Sequence, residues 1–283
     1  MAEQINRKTI DLPSEVSTEI ISKTQEQSAV MRAARMITLP GRGVIVPVIT
    51  GDPEAAWVGE TDEKPVSNPT TTTKKMQAYK LAVIETFSNE FRRDEAALYD
   101  ALIQRLPLAL ASKFDATVFG KTASPGENFD QLTSLTTESV KIGTDSLYNA
   151  FVEAQSAIAV GSYAANGVIL SAIGKADCLK ETDKMGRPLF VNSISEDGVP
   201  VILGMNTLVS RGLGDIAVVG DWTKAVFGTV EGVQIAATDM ASVKTGDKTI
   251  NLWQRNMFAV RAEIELGFRC EKDAFVSIKA SDA

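Results

Sequence analysis

The sequence FAVRAEIELGFRC, residues 258–270, has the clearest structural pattern in this chain. Its even-numbered positions, from Phe258 to Cys270, are all apolar, whereas its four charged residues stand at odd-numbered positions. Alternation with a period of two over such a run predicts one β-strand much longer than the usual length of about 5–6 residues. A strand of this length indicates an elongated molecule.

Upstream of this strand, the strongest helical pattern covers residues 94–119. Leucine, phenylalanine or valine returns there every four positions, which predicts a long helix, and Pro107 inside it predicts a kink or a break. Weaker helical patterns cover residues 14–36 and 145–159. From residue 167 to residue 237, short apolar runs alternate with turns, which indicates an α/β or α+β unit.

Two extended segments, residues 43–50 and 76–87, flank about two dozen mostly polar residues. Pro47 cannot donate to a β-ladder, so the first segment should be an edge or irregular strand. Together the segments predict a long hairpin-like excursion. A loop of this length with no core of its own is usually functional. A hairpin of this size is only marginally stable alone, so we expect it to lie on a neighbour.

The composition argues against several classes of function. The chain contains no histidine, which removes His-dependent catalytic triads and His-containing metal sites. Its net charge of −7 argues against a dedicated basic face for nucleic acid. Cys178 and Cys270 stand far apart, so we expect two reduced, partly buried thiols. We expect no cofactor, no metal, no signal peptide and no membrane span.

Several short motifs, in their order along the chain, resemble the major capsid protein of tailed bacteriophages with the Hong Kong 97-type fold. WVGETDEKP (57–65) resembles the family's extended loop, and residues 120–132 resemble the turn after its spine helix. Three segments resemble its axial domain: GVIL (167–170), MGRPL (185–189) and VPV (199–201). RNM (255–257) together with AE (262–263) resembles its terminal strand. The resemblance extends from about residue 10 to the end of the chain.

The resemblance implies an α+β fold in four parts. These are an N-terminal arm (1–48), an extended loop (49–90), a peripheral domain (91–143 and 229–283) and an axial domain (144–228). Because Met1 stands just before the arm, we expect a separate scaffolding protein or none, and no large N-terminal cleavage.

The resemblance also implies a function. Hexamers and pentamers of the chain would assemble in the host bacterial cytoplasm into an icosahedral virion capsid around phage double-stranded DNA. The DNA would be enclosed without sequence-specific binding, and a net acidic wall would not adsorb it. Scaffolding, portal and decoration proteins are the further partners implied, and no membrane partner is expected.

Some relatives in this family join their subunits by an isopeptide bond between a loop lysine and a terminal-strand asparagine, promoted by a glutamate. Lys64, Asn256 and Glu263 stand at the matching positions. Lys64 would attack the Asn256 carboxamide as a neutral amine, which requires burial to lower its pKa, and Glu263 would accept the proton. Seven strand residues place Asn256 and Glu263 about 23 Å apart on opposite faces, so separate subunits must contribute them.

Three alternatives remain open at the level of sequence. Lys64 could form only an intersubunit salt bridge and no covalent bond. The same fold could build an encapsulin-like bacterial nanocompartment that holds a cargo enzyme. The chain could instead be a small soluble enzyme that uses Glu and Lys. A stable monomer or dimer would favour this alternative. We expect no enzymatic activity beyond autocatalytic cross-linking.

Overall fold

The computed structural model describes residues 14–41, 44–50, 57–58, 70–90, 95–133, 135–140, 146–190, 199, 201–245 and 248–280. Within these ranges, the helices are α1 (Ser14–Gln27), α2 (Ala29–Ala33), α3 (Glu95–Val118), α4 (Leu147–Val160) and α5 (Ala172–Lys180). The strands are β1 (Arg35–Thr38), β2 (Val44–Thr50), β3 (Thr70–Met76), β4 (Tyr79–Ser88), β5 (Thr136–Val140), β6 (Gly167–Ser171), β7 (Val201–Ile202), β8 (Met205–Ser210), β9 (Ala217–Gly220), β10 (Ala225–Thr229), β11 (Gln234–Thr238), β12 (Ser242–Thr245), β13 (Lys248–Asn251), β14 (Met257–Cys270) and β15 (Phe275–Ala280).

The long strand β14 is the central strand of the first sheet. β4 pairs with one of its edges in an antiparallel register, from Met257–Ser88 to Leu266–Tyr79. β11 and β10 pair with the other edge, and β1 continues the sheet beyond β10. Every even-numbered side chain from Phe258 to Cys270 is buried. The prediction of one very long strand with one apolar face is confirmed.

The second sheet has six strands in the order β5-β15-β9-β6-β8-β7. Helix α4 packs on β15 and β9, and its buried Phe151 and Ile158 share a hydrophobic cluster with Leu170, Val219 and Ile278. All five residues of β6 are buried, as expected for an interior strand without polar alternation. Two of the short apolar runs in the segment 167–237 therefore form the interior strands β6 and β9.

Helix α3 packs against the arm helix α1 and against β4. The leucines at positions 102, 106 and 110, together with Phe114 and Val118, are buried in the main core. The long helix is confirmed, but it is not interrupted at Pro107. An interior proline costs about 3 kcal/mol, and buried apolar residues on both sides of it hold the two halves of the helix on one core.

The single helix predicted over residues 14–36 is wrong. The arm forms α1, then α2, and then the strand β1, which begins at Arg35. Ser28 separates the two helices: its hydroxyl oxygen accepts a hydrogen bond from the Met31 N–H (3.1 Å) and caps α2. The same hydroxyl donates to Asp115 Oδ1 at 2.6 Å, so a contact with α3 fixes the break.

The strand pairing predicted for the hairpin-like excursion is also wrong. β2 pairs with β3, from Val44–Met76 to Thr50–Thr70, and β4 pairs with β14 instead. The run of β-branched threonines at 70–73 favours a strand. Alternate side chains of β4, including Tyr79 and Phe87, pack on the main core, which places β4 in the first sheet. Within the described residues β2 pairs only with β3, so Pro47 lies in an edge strand as expected.

Candidate cross-linking and assembly site

Asn256 lies at the turn that leads into β14. It follows the short 3₁₀ turn Trp253–Arg255, and its backbone is left-handed, with φ 54° and ψ 49°. Asparagine is one of the few non-glycine residues that adopt this conformation readily. The next residue, Met257, donates its N–H to Leu252 O at 3.0 Å and begins the strand. Asn256 therefore has a backbone role in addition to the predicted chemical one.

The Asn256 carboxamide contacts Asn89, a residue that the sequence motifs do not indicate. Asn89 Nδ2 donates to Asn256 Oδ1 at 2.7 Å, and the Asn89 backbone N–H donates to Asn256 O at 3.0 Å. The β4–β14 register, in which Ser88 pairs with Met257, places the two asparagines side by side. This contact was missed because it depends on that pairing, which residues 76–87 alone do not reveal.

A small surface depression of about 120 Å³ adjoins Asn256. Its walls are formed by Asn89, Asp239, Trp253, Asn256 and Met257. The Trp253 side chain is largely exposed, so one wall is an uncovered apolar surface. The depression has room for the end of an extended side chain, with a carboxamide, a carboxylate and apolar groups around it.

Glu263 lies seven residues farther along β14, where it pairs with Ala82 on one edge and Gln234 on the other. Its half-buried carboxylate Oε1 is 3.2 Å from Arg261 Nε. Glu263 lines a different cavity of about 200 Å³ and is not among the described residues that line the Asn256 depression. Within one subunit the structure does not bring Glu263 to Asn256.

Lys64 lies outside the described residues. Two residues of the same predicted loop motif are described, and Trp57 is fully exposed while Val58 is more than one-third exposed. An exposed tryptophan presents a large apolar surface, which is typical of interaction sites.

Other reactive groups in the described part of the chain offer little chemistry. Cys178 and Cys270 are free and buried, and burial raises the pKa of each to about 12. Both therefore remain thiols near neutral pH and are poor nucleophiles. Among the described residues, no cluster of Cys, Asp or Glu could hold a metal ion. In the same ranges, no helix combines the length and apolarity needed to cross a bilayer.

Comparisons with known proteins agree with this architecture. Residues 10–280 match the phage capsid family. A probable major capsid protein of Mycobacterium phage L5 is 31% identical over 298 residues, which cover 96% of this chain and 90% of that protein. The major capsid protein of Staphylococcus phage 80alpha is 24% identical over 286 residues, covering 98% of this chain and 87% of that protein.

Solved structures show the same fold at lower sequence identity. A chain from the structure of Gordonia phage Cozz is 22% identical and aligns with a TM-score of 0.71, covering 91% of this chain and 87% of that chain. A chain from the capsid of a native GTA particle, computed with C5 symmetry, is 15% identical and aligns with a TM-score of 0.62, covering 100% of this chain and 96% of that chain. This chain therefore belongs to the phage capsid family and is a major capsid protein with the Hong Kong 97-type α+β fold.

Proposed function

We propose that this chain assembles as hexamers and pentamers into an icosahedral shell that encloses phage double-stranded DNA, and that Lys64 and Asn256 join its subunits covalently. The exposure of Trp57 supports the assembly most directly. An exposed indole gains a large hydrophobic contribution when a neighbouring subunit covers it. The two-stranded β2–β3 sheet that leads toward it joins no other sheet of the described chain.

The proposed division of the chain follows the four predicted segments. Residues 1–48 are the arm, 49–90 the extended loop, 91–143 and 229–283 the peripheral domain, and 144–228 the axial domain. β5 and β15 extend the six-stranded sheet that contains the axial strands, so hydrogen bonds join the two domains. Assembly in the host cytoplasm, and contacts with scaffolding, portal and decoration proteins, are part of the same proposal.

The cross-link is a transamidation that needs no co-reactant. Neutral Lys64 Nζ attacks Asn256 Cγ, Glu263 of another subunit takes a proton from the amine and passes it to Asn256 Nδ2, and ammonia leaves. Trp253 and Met257 line the depression, and desolvation by these side chains would lower the pKa of Lys64 and favour its neutral amine. The Asp239 carboxylate in the same depression would raise the pKa of Lys64. The reaction rate is expected to rise with pH until Lys64 is fully deprotonated.

Denaturing electrophoresis of mature particles tests the cross-link. Wild-type shells are expected to give a ladder of covalent oligomers, and Lys64→Arg shells a single monomer band. Asn256→Asp is the matched variant, because aspartate also tolerates the left-handed backbone and can accept the Asn89 hydrogen bond, yet a carboxylate does not react with an amine. A single monomer band from intact wild-type shells would reject the bond and favour a salt bridge at Lys64.

Electron microscopy of the expressed protein tests the assembly itself. Icosahedral shells made of hexamers and pentamers, with DNA inside particles isolated from infected cells, are the expected result. Particles that contain a cargo protein in place of DNA would support the nanocompartment alternative. A stable monomer or dimer under all conditions would contradict shell assembly.

A further inference from the structure

The hydrogen bond between Asn89 and Asn256 ends on the atom that becomes negatively charged in the proposed reaction. When an amine adds to Asn256 Cγ, the carbonyl π electrons move to Oδ1, which becomes an oxyanion. Asn89 Nδ2 already donates to this oxygen at 2.7 Å. A donor that is aligned before the reaction stabilises such a charge without reorganisation during the reaction.

We propose that Asn89 is a catalytic residue of the cross-link, acting as the oxyanion donor for the Asn256 carboxamide. This inference rests on the proposed Lys64–Asn256 bond and adds a fourth residue, from the same subunit as Asn256. The reacting asparagine then has one group for each need: Lys64 is the nucleophile, Glu263 transfers the proton, and Asn89 stabilises the charge on oxygen.

The surroundings of Asn89 hold its side chain for this role. The β4–β14 ladder and the backbone bond from Asn89 N–H to Asn256 O (3.0 Å) fix the two residues relative to each other. Asn89 Oδ1 is buried and has no hydrogen-bond partner among the described residues. A buried unpaired carbonyl oxygen is a cost to the folded chain, and such exceptions in a native structure point to a functional constraint. The constraint here is the direction of the Nδ2 donor toward Asn256.

The chemical steps balance with this residue included. Lys64 Nζ forms a bond to Cγ, and the oxyanion on Oδ1 is held by Asn89 Nδ2–H. Glu263 carries one proton from the lysine nitrogen to the carboxamide nitrogen. The C–N bond to Nδ2 then breaks, ammonia leaves, and the carbonyl re-forms as part of the isopeptide bond. Asn89 neither gains nor loses a proton.

The test is the rate of cross-linking in assembled, not yet cross-linked shells after the reaction is triggered. Asn89→Asp places an acceptor oxygen where the donor stood, and Asn89→Ala removes the donor. Each is expected to slow the appearance of the cross-linked peptide by about 10²–10³-fold, as for other oxyanion donors. For Asn89→Ala, the pH dependence should keep its shape because Lys64 deprotonation still sets it.

Asn251→Asp is the matched control. It adds the same charge near the same turn, and its side-chain oxygen keeps the acceptor role toward the Gln254 N–H (3.2 Å). This variant is expected to cross-link at the wild-type rate. Where an Asn89 variant does not assemble alone, tagged variant subunits can be co-assembled as a minority in wild-type shells. Mass spectrometry then follows the cross-linked peptide of the tagged subunit's Asn256.

The outcomes separate this inference from the proposal on which it rests. If wild-type shells form no ladder, or if Lys64→Arg leaves the ladder intact, the Lys64–Asn256 bond itself is rejected. If the wild-type ladder requires Lys64 but both Asn89 variants react at the wild-type rate, the bond stands and the role of Asn89 is overturned. A rate loss in both Asn89 variants, with Asn251→Asp unchanged, supports the role.

Discussion

At the scale of single residues, Asp115 joins three parts of the molecule. Its carboxylate accepts hydrogen bonds from the Ser28 hydroxyl (2.6 Å), the Ala29 N–H (3.1 Å) and the Ser210 hydroxyl (2.7 Å). These donors belong to the arm and to the end of β8, whereas Asp115 lies on α3. Burial raises the pKa of the Asp115 carboxyl, although the hydrogen bonds act against the shift. The sequence indicates Asp115 only as one position of the long helix.

Replacing Asp115 is expected to weaken the junction of the arm with the body. Asp115→Ala leaves two buried hydroxyls and one N–H without an acceptor, which should lower the free energy of unfolding by about 3 kcal/mol or more. Urea unfolding of the unassembled subunit measures the loss. Glu153→Gln, an exposed carboxylate on α4, is the control and should change little. Equal stability of the Asp115→Ala and wild-type subunits would contradict the role.

The same carboxyl predicts a pH dependence with a definite sign. Because its folded pKa lies above the ordinary value of 3.8, the folded state binds the proton more tightly than the unfolded state. Its contribution to stability is therefore full below 3.8 and is lost as the pH rises through the folded pKa. As the pH rises from 3.8 through the folded pKa, the stability difference between wild type and Asp115→Ala should shrink. A difference that grows with pH would show that burial does not dominate.

At the scale of elements, two glycines let the base of the β2–β3 hairpin cross the first sheet. Gly228 on β10 pairs with Gly267 on β14. A Cβ on Gly267 would lie 2.8 Å from the Gln77 carbonyl oxygen, and one on Gly228 would lie 2.5 Å from Leu39 Cγ. Arg269 Nε stabilises this contact by donating a hydrogen bond to Lys75 O at 2.8 Å. The end of β3 is therefore held close to β14 by backbone contacts, and the Met76 side chain lies against Gly228 of β10.

Adding a side chain at Gly267, where β3 passes over β14, is expected to displace the hairpin. Gly267→Ala should cost about 1–3 kcal/mol, because a backbone oxygen stands where the methyl group must go. Since the hairpin leads toward the proposed cross-linking loop, fewer shells should form. Gly214→Ala is the control, because its added Cβ meets open space. Thermal unfolding and electron microscopy measure the two effects, and equal behaviour of the two variants would refute this account of the crossing.

At the scale of the whole molecule, the three tryptophans report on assembly separately. Trp57 and Trp253 are 106% and 69% exposed, whereas Trp222 is 3% exposed. If neighbouring subunits cover the loop and the turn before β14, the fluorescence of the first two should shift to shorter wavelength and resist quenching in shells. Trp57→Phe and Trp253→Phe should each remove part of this change, and Trp222→Phe should not. Identical spectra for subunits and shells would contradict intersubunit burial of these residues.

Two elements, β14 and α3, were predictable from local sequence patterns alone. The alternation in residues 258–270 predicts β14, and the fourfold spacing of apolar residues predicts α3, because side-chain periodicity follows directly from strand and helix geometry. The motifs also indicated the capsid family. Lys64, Asn256 and Glu263 were candidates from motif position alone, and their roles remain proposals.

Which elements pair and which side chains meet depends on contacts that local patterns do not contain. The pairing of β4 with β14, the break at Ser28 and the contact of Asn89 with Asn256 depend on residues far apart in sequence. Local preference gives a segment its conformation but not its partner, because a strand of suitable pattern can pair with any open edge. The partner is selected by burial of apolar side chains in one shared core, and this selection placed Asn89 beside Asn256.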